Sequence, residues 1–250
     1  MTRNTIFLIL FSLYSTLYAQ ERVSNQLEPI RSINVNAAFH LPGGDLIKRF
    51  GPSSMLGLSY QDKGENNFYW GMELSALVGS QIKDDKVIDI ITFDDGTVVN
   101  VNGNQARVRF SERGGHSQFV LGKIFSVIGP NQNSGLFFQA GLGYLFHKIR
   151  IEDIGNLTPQ LNAELRKGYD RLCMGFTSSQ LLGYRHFSNQ GRVNFYLGFE
   201  FIQAFTEDFR GYDYNTQSAY QDKRLDLLSG FKLGWTLLLK SKSDNQYFYY

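Results

Sequence analysis

The sequence predicts an all-β fold: an eight-stranded antiparallel transmembrane up-and-down β-barrel. Three observations carry that expectation. Apolar residues recur with a period of two through most of the chain, the mark of strands with two unlike faces. Most of the eight stripes run ten residues or longer, whereas strands of globular proteins usually run about 5–6 and strands crossing a bilayer at a tilt need about 9–11. The connections alternate short and long without exception, the asymmetry of barrels whose periplasmic turns are short and whose outer loops are long.

The elements follow in chain order. Met1-Thr2-Arg3-Asn4 is a short positive start, residues 6–17 are mainly apolar, and Ala19 is a small residue before Gln20. That order predicts a secretory signal peptide over residues 1–19, with a core too short for a spanning helix. Residues 20–31 read as a polar periplasmic lead-in, and residues 32–240 as the barrel. In the first stripe Ile33, Val35, Ala37 and Phe39 share a face; Leu56, Leu58 and Tyr60 make the second. Phe68, Trp70, Met72, Leu74, Ala76 and Val78 form the third, opposite Tyr69, Gly71 and Glu73. The fourth (115–127) and sixth (170–186) have mixed parity. Leu136, Phe138, Ala140, Leu142, Tyr144 and Phe146 form the fifth. Val193, Phe195, Leu197, Phe199 and Phe201 make the seventh, and the eighth runs from Leu225 to Leu239, leaving a tail at 241–250.

Short connections at 62–67, 128–134 and 187–191 are rich in turn formers, and long ones lie at 41–54, 80–114, 152–169 and 207–222. The longest, 80–114, carries an Asp94-Asp95-Gly96 turn signal between residues 87–93 and 97–101, which predicts an extracellular hairpin prolonging strands three and four. Asp84, Asp85, Asp89, Asp94 and Asp95 lie in the same loop without the spacing of an EF-hand.

Composition removes other classes. With 42% hydrophobic residues and a formal net charge of +2, the chain is too apolar and too weakly charged for disorder. Its 25 basic and 23 acidic residues are interspersed, so no nucleic-acid partner is expected. Cys173 is the single cysteine, which excludes an internal disulfide and a Cys-based zinc cluster. The four histidines lack the spacing of a metal motif, so neither metal nor cofactor is expected.

An internal repeat sets the register. Residues 67–74 (NFYWGMEL) and 194–201 (NFYLGFEF) agree at five of eight positions, each after a short turn. The two copies fall on strands three and seven, on opposite walls, so Glu73 and Glu200 should point into the lumen at similar depth. Buried carboxylates need partners. Lys232 has inward parity, and Lys123 is the second candidate, which gives an expected polar network of Glu73, Glu200, Lys123 and Lys232.

The whole mature chain resembles small eight-stranded outer-membrane barrels of the OmpA/OmpX type. Residues 232–239 (KLGWTLLL) are similar to the C-terminal signal read by the barrel-assembly machinery, departing from it by Leu237 where an aromatic is usual. Gly44-Asp45-Leu46 and Lys48-Arg49-Phe50-Gly51, with Arg224-Leu225-Asp226-Leu227-Leu228 later, are similar to uncharacterised barrel proteins of Bacteroidota. The resemblance implies surroundings of outer-membrane lipid and lipopolysaccharide and insertion by the barrel-assembly machinery. It also implies a non-enzymatic structural or interaction role, with an envelope protein partner in an envelope or secretion assembly.

Two alternatives stand beside it. His186-Phe187-Ser188-Asn189, with Glu200 downstream, is similar to the His-x-Ser-Asn motif and later Glu of outer-membrane lipid A 3-O-deacylases. That resemblance implies Ser188 as nucleophile, His186 as base and Glu200 as orienting carboxylate. Strand rise, however, sets Ser188 and Glu200 roughly 30 Å or more apart along the wall. The other is a soluble lipocalin-like barrel with the apolar stripes turned inward, which the glycine-rich opposite faces argue against. An eight-stranded interior is filled by side chains or one small ligand, so an open pore is not expected.

Overall fold

The computed structural model describes residues 23, 25–84, 87–93, 97–155, 157–189, 193–220 and 222–239. The signal segment, the tail at 241–250 and the Asp94-Asp95-Gly96 turn lie outside them. Eight long strands close a barrel: β1 (Ile30–Gly44), β2 (Ser53–Lys63), β3 (Phe68–Gly79), β4 (Val108–Phe125), β5 (Gly135–Asp153), β6 (Cys173–His186), β7 (Phe195–Asp208) and β10 (Lys223–Leu239). Each pairs antiparallel with its chain neighbour, and β10 returns to β1 to close the wall. The remaining strands, β8 (Gly211–Asp213) and β9 (Ser218–Tyr220), form a small hairpin in the last long loop.

The period of two becomes a sidedness. On β3, Glu73 is 3% exposed and Leu74 beside it 68% exposed. Val35, Leu58, Met72, Phe119, Leu142, Phe176, Leu197 and Phe231 all face outward, while Asn34, Asn36, Gln61, Gln118, Gln139, Glu200 and Thr236 are buried inside. Water would leave that exterior unstable; hydrocarbon matches it, and a closed sheet leaves no backbone edge unpaired in lipid. The molecule is a transmembrane barrel of the outer-membrane type, and the lipocalin-like alternative is overturned because the apolar stripes do not turn inward.

The apolar band has the right height. On β5 the outward residues run from Leu136 to Phe146. Ten steps of about 3.3 Å, tilted by about 40°, rise roughly 25 Å, the height of such bands.

Strands β4 and β6 show why their stripes read as mixed. On β4 the residues facing inward are His116, Gln118, Val120, Gly122 and Ile124; on β6 they include Thr177, Ser179, Leu181 and Arg185. Near the short turns the lumen holds an apolar cluster as well: Tyr69, Ile124, Phe137, Leu181, Phe187 and Tyr196 pack there with Ile30 and Val23. Apolar residues on both faces erase the alternation. The described part of the lead-in, Val23 and residues 25–31, is therefore part of the seal at this mouth. Lys63 Nζ donates to Glu28 O (2.8 Å) and Asn67 Oδ1 (3.0 Å), and Asn133 Nδ2 donates to Gln26 O (2.7 Å).

At the opposite mouth the loops build a second apolar core. Leu46, Phe50, Val87, Ile88, Val98, Leu161 and Tyr169 are buried against Leu145, Ile149, Ile151 and Ile202 of the wall. This corrects the expected hairpin of loop 80–114. Strand β3 stops at Gly79, and among the described residues the backbone hydrogen bond between segments 87–93 and 97–101 is Phe93 N–H to Thr97 O (2.8 Å). Val87, Ile88 and Val98 turn down over the mouth, since burying them there removes them from water, which a free-standing ribbon could not do.

Candidate functional site

The repeat places Glu73 and Glu200 on β3 and β7, which are four strands apart in either direction around the closed wall. Both carboxylates are buried, and Lys232 of β10 lies between them: its Nζ is 2.5 Å from Glu73 Oε1 and 2.7 Å from Glu200 Oε1. His40 Nε2 is 3.1 Å from the other oxygen of Glu200, and Ser75 Oγ donates to Glu73 Oε1 at 3.1 Å. Lys123 is not among them, and that expectation is corrected. Its strand turns the even-numbered side inward from His116 to Ile124, so Lys123 stands on the outer wall near the short turns. There Nζ lies 4.5 Å from the Phe68 ring centroid and 5.8 Å from that of Phe125, an ammonium held by aromatic faces at the membrane boundary.

Sequence reasoning missed several polar lumen residues. Nearer the loops, His147 Nε2 is 2.9 Å from Asp226 Oδ2, which also accepts from Thr206 Oγ1 at 2.5 Å, while Arg224 Nη2 is 3.2 Å from Asp226 Oδ1. Nearer the turns, the Arg185 guanidinium lies 4.7, 5.2 and 5.0 Å from the ring centroids of Tyr69, Phe137 and Tyr196. Inward parity was the available signal for His40 and His147. Their partners stand 160 and 79 residues away in sequence, so only the register brings them together. The arrangement is a charge-neutralising brace across a filled lumen, with apolar packing on either side of it.

The residues of the hydrolase alternative are not brought together. His186 sits on the outer face at the end of β6, its ring stacked on Phe195 at 5.3 Å. Ser188 is in the turn below, where its backbone N–H donates to Asn194 Oδ1 at 2.8 Å. Glu200 faces the lumen and pairs in register with Leu181, five rungs from the His186–Phe195 pair. The separation is shorter than the sequence estimate, but opposite faces of the sheet keep imidazole and carboxylate apart. Cys173 is buried at the start of β6, where Arg49 Nη1 donates to its Sγ at 3.4 Å.

The long loops carry the other concentration of charge. A cleft of about 480 Å³ opens over the loop core, lined by Lys48, Arg49, Lys83, Arg171, Lys223 and Arg224 together with Asp45, Asp84 and Asp222. Ion pairs tie the loops together: Arg171 of the cleft contacts Asp84 and lies 3.1 Å from Asp213, and elsewhere in the loops Arg210 grips Asp170 through two hydrogen bonds of 2.9 and 2.7 Å. Asp45 ties the first loop to β10. It accepts from Lys48 Nζ (2.8 Å) and from the Leu225 N–H (3.0 Å), and those hydrogen bonds hold its carboxyl below the usual aspartate range. Among the described residues no group of three or more His, Cys, Asp or Glu side chains could hold a metal ion. Asp85, Asp94 and Asp95 of the acidic loop lie outside them.

No protein-family model matches the sequence, and no curated protein matches it. Among solved structures, it is similar to two crystal structures of Ail, the attachment invasion locus protein of Yersinia pestis, one in complex with the heparin analogue sucrose octasulfate. Identity is 12% in both, TM-scores are 0.37 and 0.38, and each alignment covers 84% of this chain and 99% of Ail. At those scores the likeness adds nothing to the closed, registered sheet already described.

Proposed function

We propose that this chain is a non-enzymatic protein of the bacterial outer membrane that presents its loop face as an interaction surface, as an accessory subunit of an envelope or secretion assembly. The observation that supports this reading is the ordered loop core. Loops that merely connect strands do not need a buried cluster of their own. One that fixes Leu46, Phe50, Ile88, Val98 and Leu161 over the mouth holds the charged cleft in one shape before a partner arrives, which lowers the ordering cost of binding. Six cationic side chains against three acidic ones in the cleft favour a partner with an acidic surface. The resemblance of residues 44–51 and 224–228 to uncharacterised barrel proteins of Bacteroidota is what supports an envelope of that type.

Affinity purification from native membranes tests the reading, with the wild-type chain and with Lys83→Glu/Lys223→Glu. The expected result is one envelope protein that co-elutes in stoichiometric amount with the wild type and is lost with the variant, while the variant keeps the gel mobility of a folded barrel. Recovery of the bare barrel in both preparations overturns it.

A further inference from the structure

Strands β4 and β5 are taller than their neighbours. The last rung between β3 and β4 is Gly79–Glu112, and the last between β5 and β6 is His147–Cys173, so both central strands rise beyond the adjoining wall. Their outward faces change character at one level. Below it stand Phe119 on β4 and Leu142, Tyr144 and Phe146 on β5, all exposed. Above it, three alternate rungs pair Arg113 with Lys148, Ser111 with Arg150, and Arg109 with Glu152. Four cations thus begin one outward position above Phe146, the top of an apolar band about 25 Å high, which is the level of the outer-leaflet headgroups.

The acidic groups facing them are few. Arg150 Nη2 is 2.6 Å from Glu152, Lys148 Nζ is 3.6 Å from Asp170, and Arg113 Nη1 donates to the Glu112 carbonyl at 2.7 Å. Because β3 ends early, a groove of about 770 Å³ opens beside β4, with Phe39, Pro52 and Val78 on one side and Arg109, Arg113 and Glu152 on the other. Directly below, Met72, Leu74, Phe119, Leu142, Tyr144 and Phe176 line an apolar trough of about 670 Å³.

We propose that the outer faces of β4 and β5 form a binding site for a phosphorylated glycolipid of the lipid A class. Arg109, Arg113, Lys148 and Arg150 engage its phosphates, and the trough below takes its acyl chains. Charge complementarity and height select this occupant: guanidinium groups suit phosphate geometry, and a headgroup phosphate meets them only where the apolar band ends. The site rests on the outer-membrane reading above.

The test uses the purified full chain in phosphatidylcholine vesicles carrying bisphosphorylated lipid A, dephosphorylated lipid A or phosphatidylglycerol at equal mole fraction. Lipid retained per barrel is measured after detergent extraction. The expected result is retention of the bisphosphorylated form about tenfold above the other two. That preference should vanish in Arg113→Gln/Lys148→Gln/Arg150→Gln. Equal retention of dephosphorylated lipid A or of phosphatidylglycerol overturns the site, as does a folded variant with undiminished preference. Where the variant does not fold, the wild-type comparison of the three lipids decides. A chain that enters none of the vesicles removes the membrane reading and the lipid site with it, whereas one that inserts without preference overturns the lipid site alone.

Discussion

Removing the ammonium group of Lys232 leaves Glu73 and Glu200 buried on opposite walls without the cation that both contact. Breaking one partner out of such an arrangement costs roughly 3–5 kcal/mol, whereas replacing the whole set by neutral groups costs far less. Lys232→Met should therefore lower the urea midpoint of the barrel in detergent sharply, and Glu73→Gln/Glu200→Gln added to it should restore most of the loss. Equal midpoints for the single and triple variants would argue against a brace. A second residue-scale expectation concerns the repeat. Tyr69 pairs with Gly122 on β4 and Tyr196 with Gly234 on β10, and a Cβ at either glycine would lie 2.3 or 2.1 Å from the tyrosine ring. Gly234→Ala should cost about 1–3 kcal/mol by overpacking, seen as a lower temperature for the gel shift from folded to unfolded barrel. The carboxylates and Lys232 were legible because their stripes alternate cleanly. Lys123 was misplaced because Phe119 and Leu121 compete with Val120 and Ile124 for the apolar face of β4, leaving its parity open.

The first long loop shows how one carboxylate docks an element. Asp45 joins the loop to Leu225 at the top of β10, and its acidity is increased by the hydrogen bonds it accepts from Lys48 and the Leu225 N–H. A lowered folded-state pKa means the carboxylate form is favoured in the docked loop. Its stabilisation is complete above the ordinary aspartate value of about 3.9 and is lost as pH falls through the lower folded value. Amide resonances of residues 45–49 should thus stay constant down to about pH 5 and shift together below pH 4, and Asp45→Asn should abolish that transition without unfolding the wall. Strand positions were readable from periodicity because hydrocarbon imposes it on most outward residues of β1, β2, β3, β5, β7 and β10. Loop 80–114 was not: its Asp-Gly turn promotes a hairpin, but Val87, Ile88 and Val98 gain more by covering the mouth than a two-stranded ribbon in water can offer. Such long-range packing leaves no local signature.

At the scale of the whole molecule the interior is layered: an aromatic and aliphatic plug with Arg185 at the turn end, the Glu73–Lys232–Glu200 brace in the middle, and a loop core at the far mouth. Reconstituted into planar bilayers, the protein should show no conductance steps, because an eight-stranded wall has no width to spare beyond its own side chains. Regular single-channel openings would show that the loop core lifts as a unit. Closure of the wall carries a further consequence. Glu73 stands on β3, but its cation arrives on the last strand, paired with β1 across the seam. A sheet that has formed every hairpin yet has not curled round to join its ends leaves that carboxylate naked against acyl chains. Assembly in the bilayer is thereby proofread: the final strand brings both the last backbone hydrogen bonds and the counter-charge, and an unzipped intermediate advertises itself electrostatically.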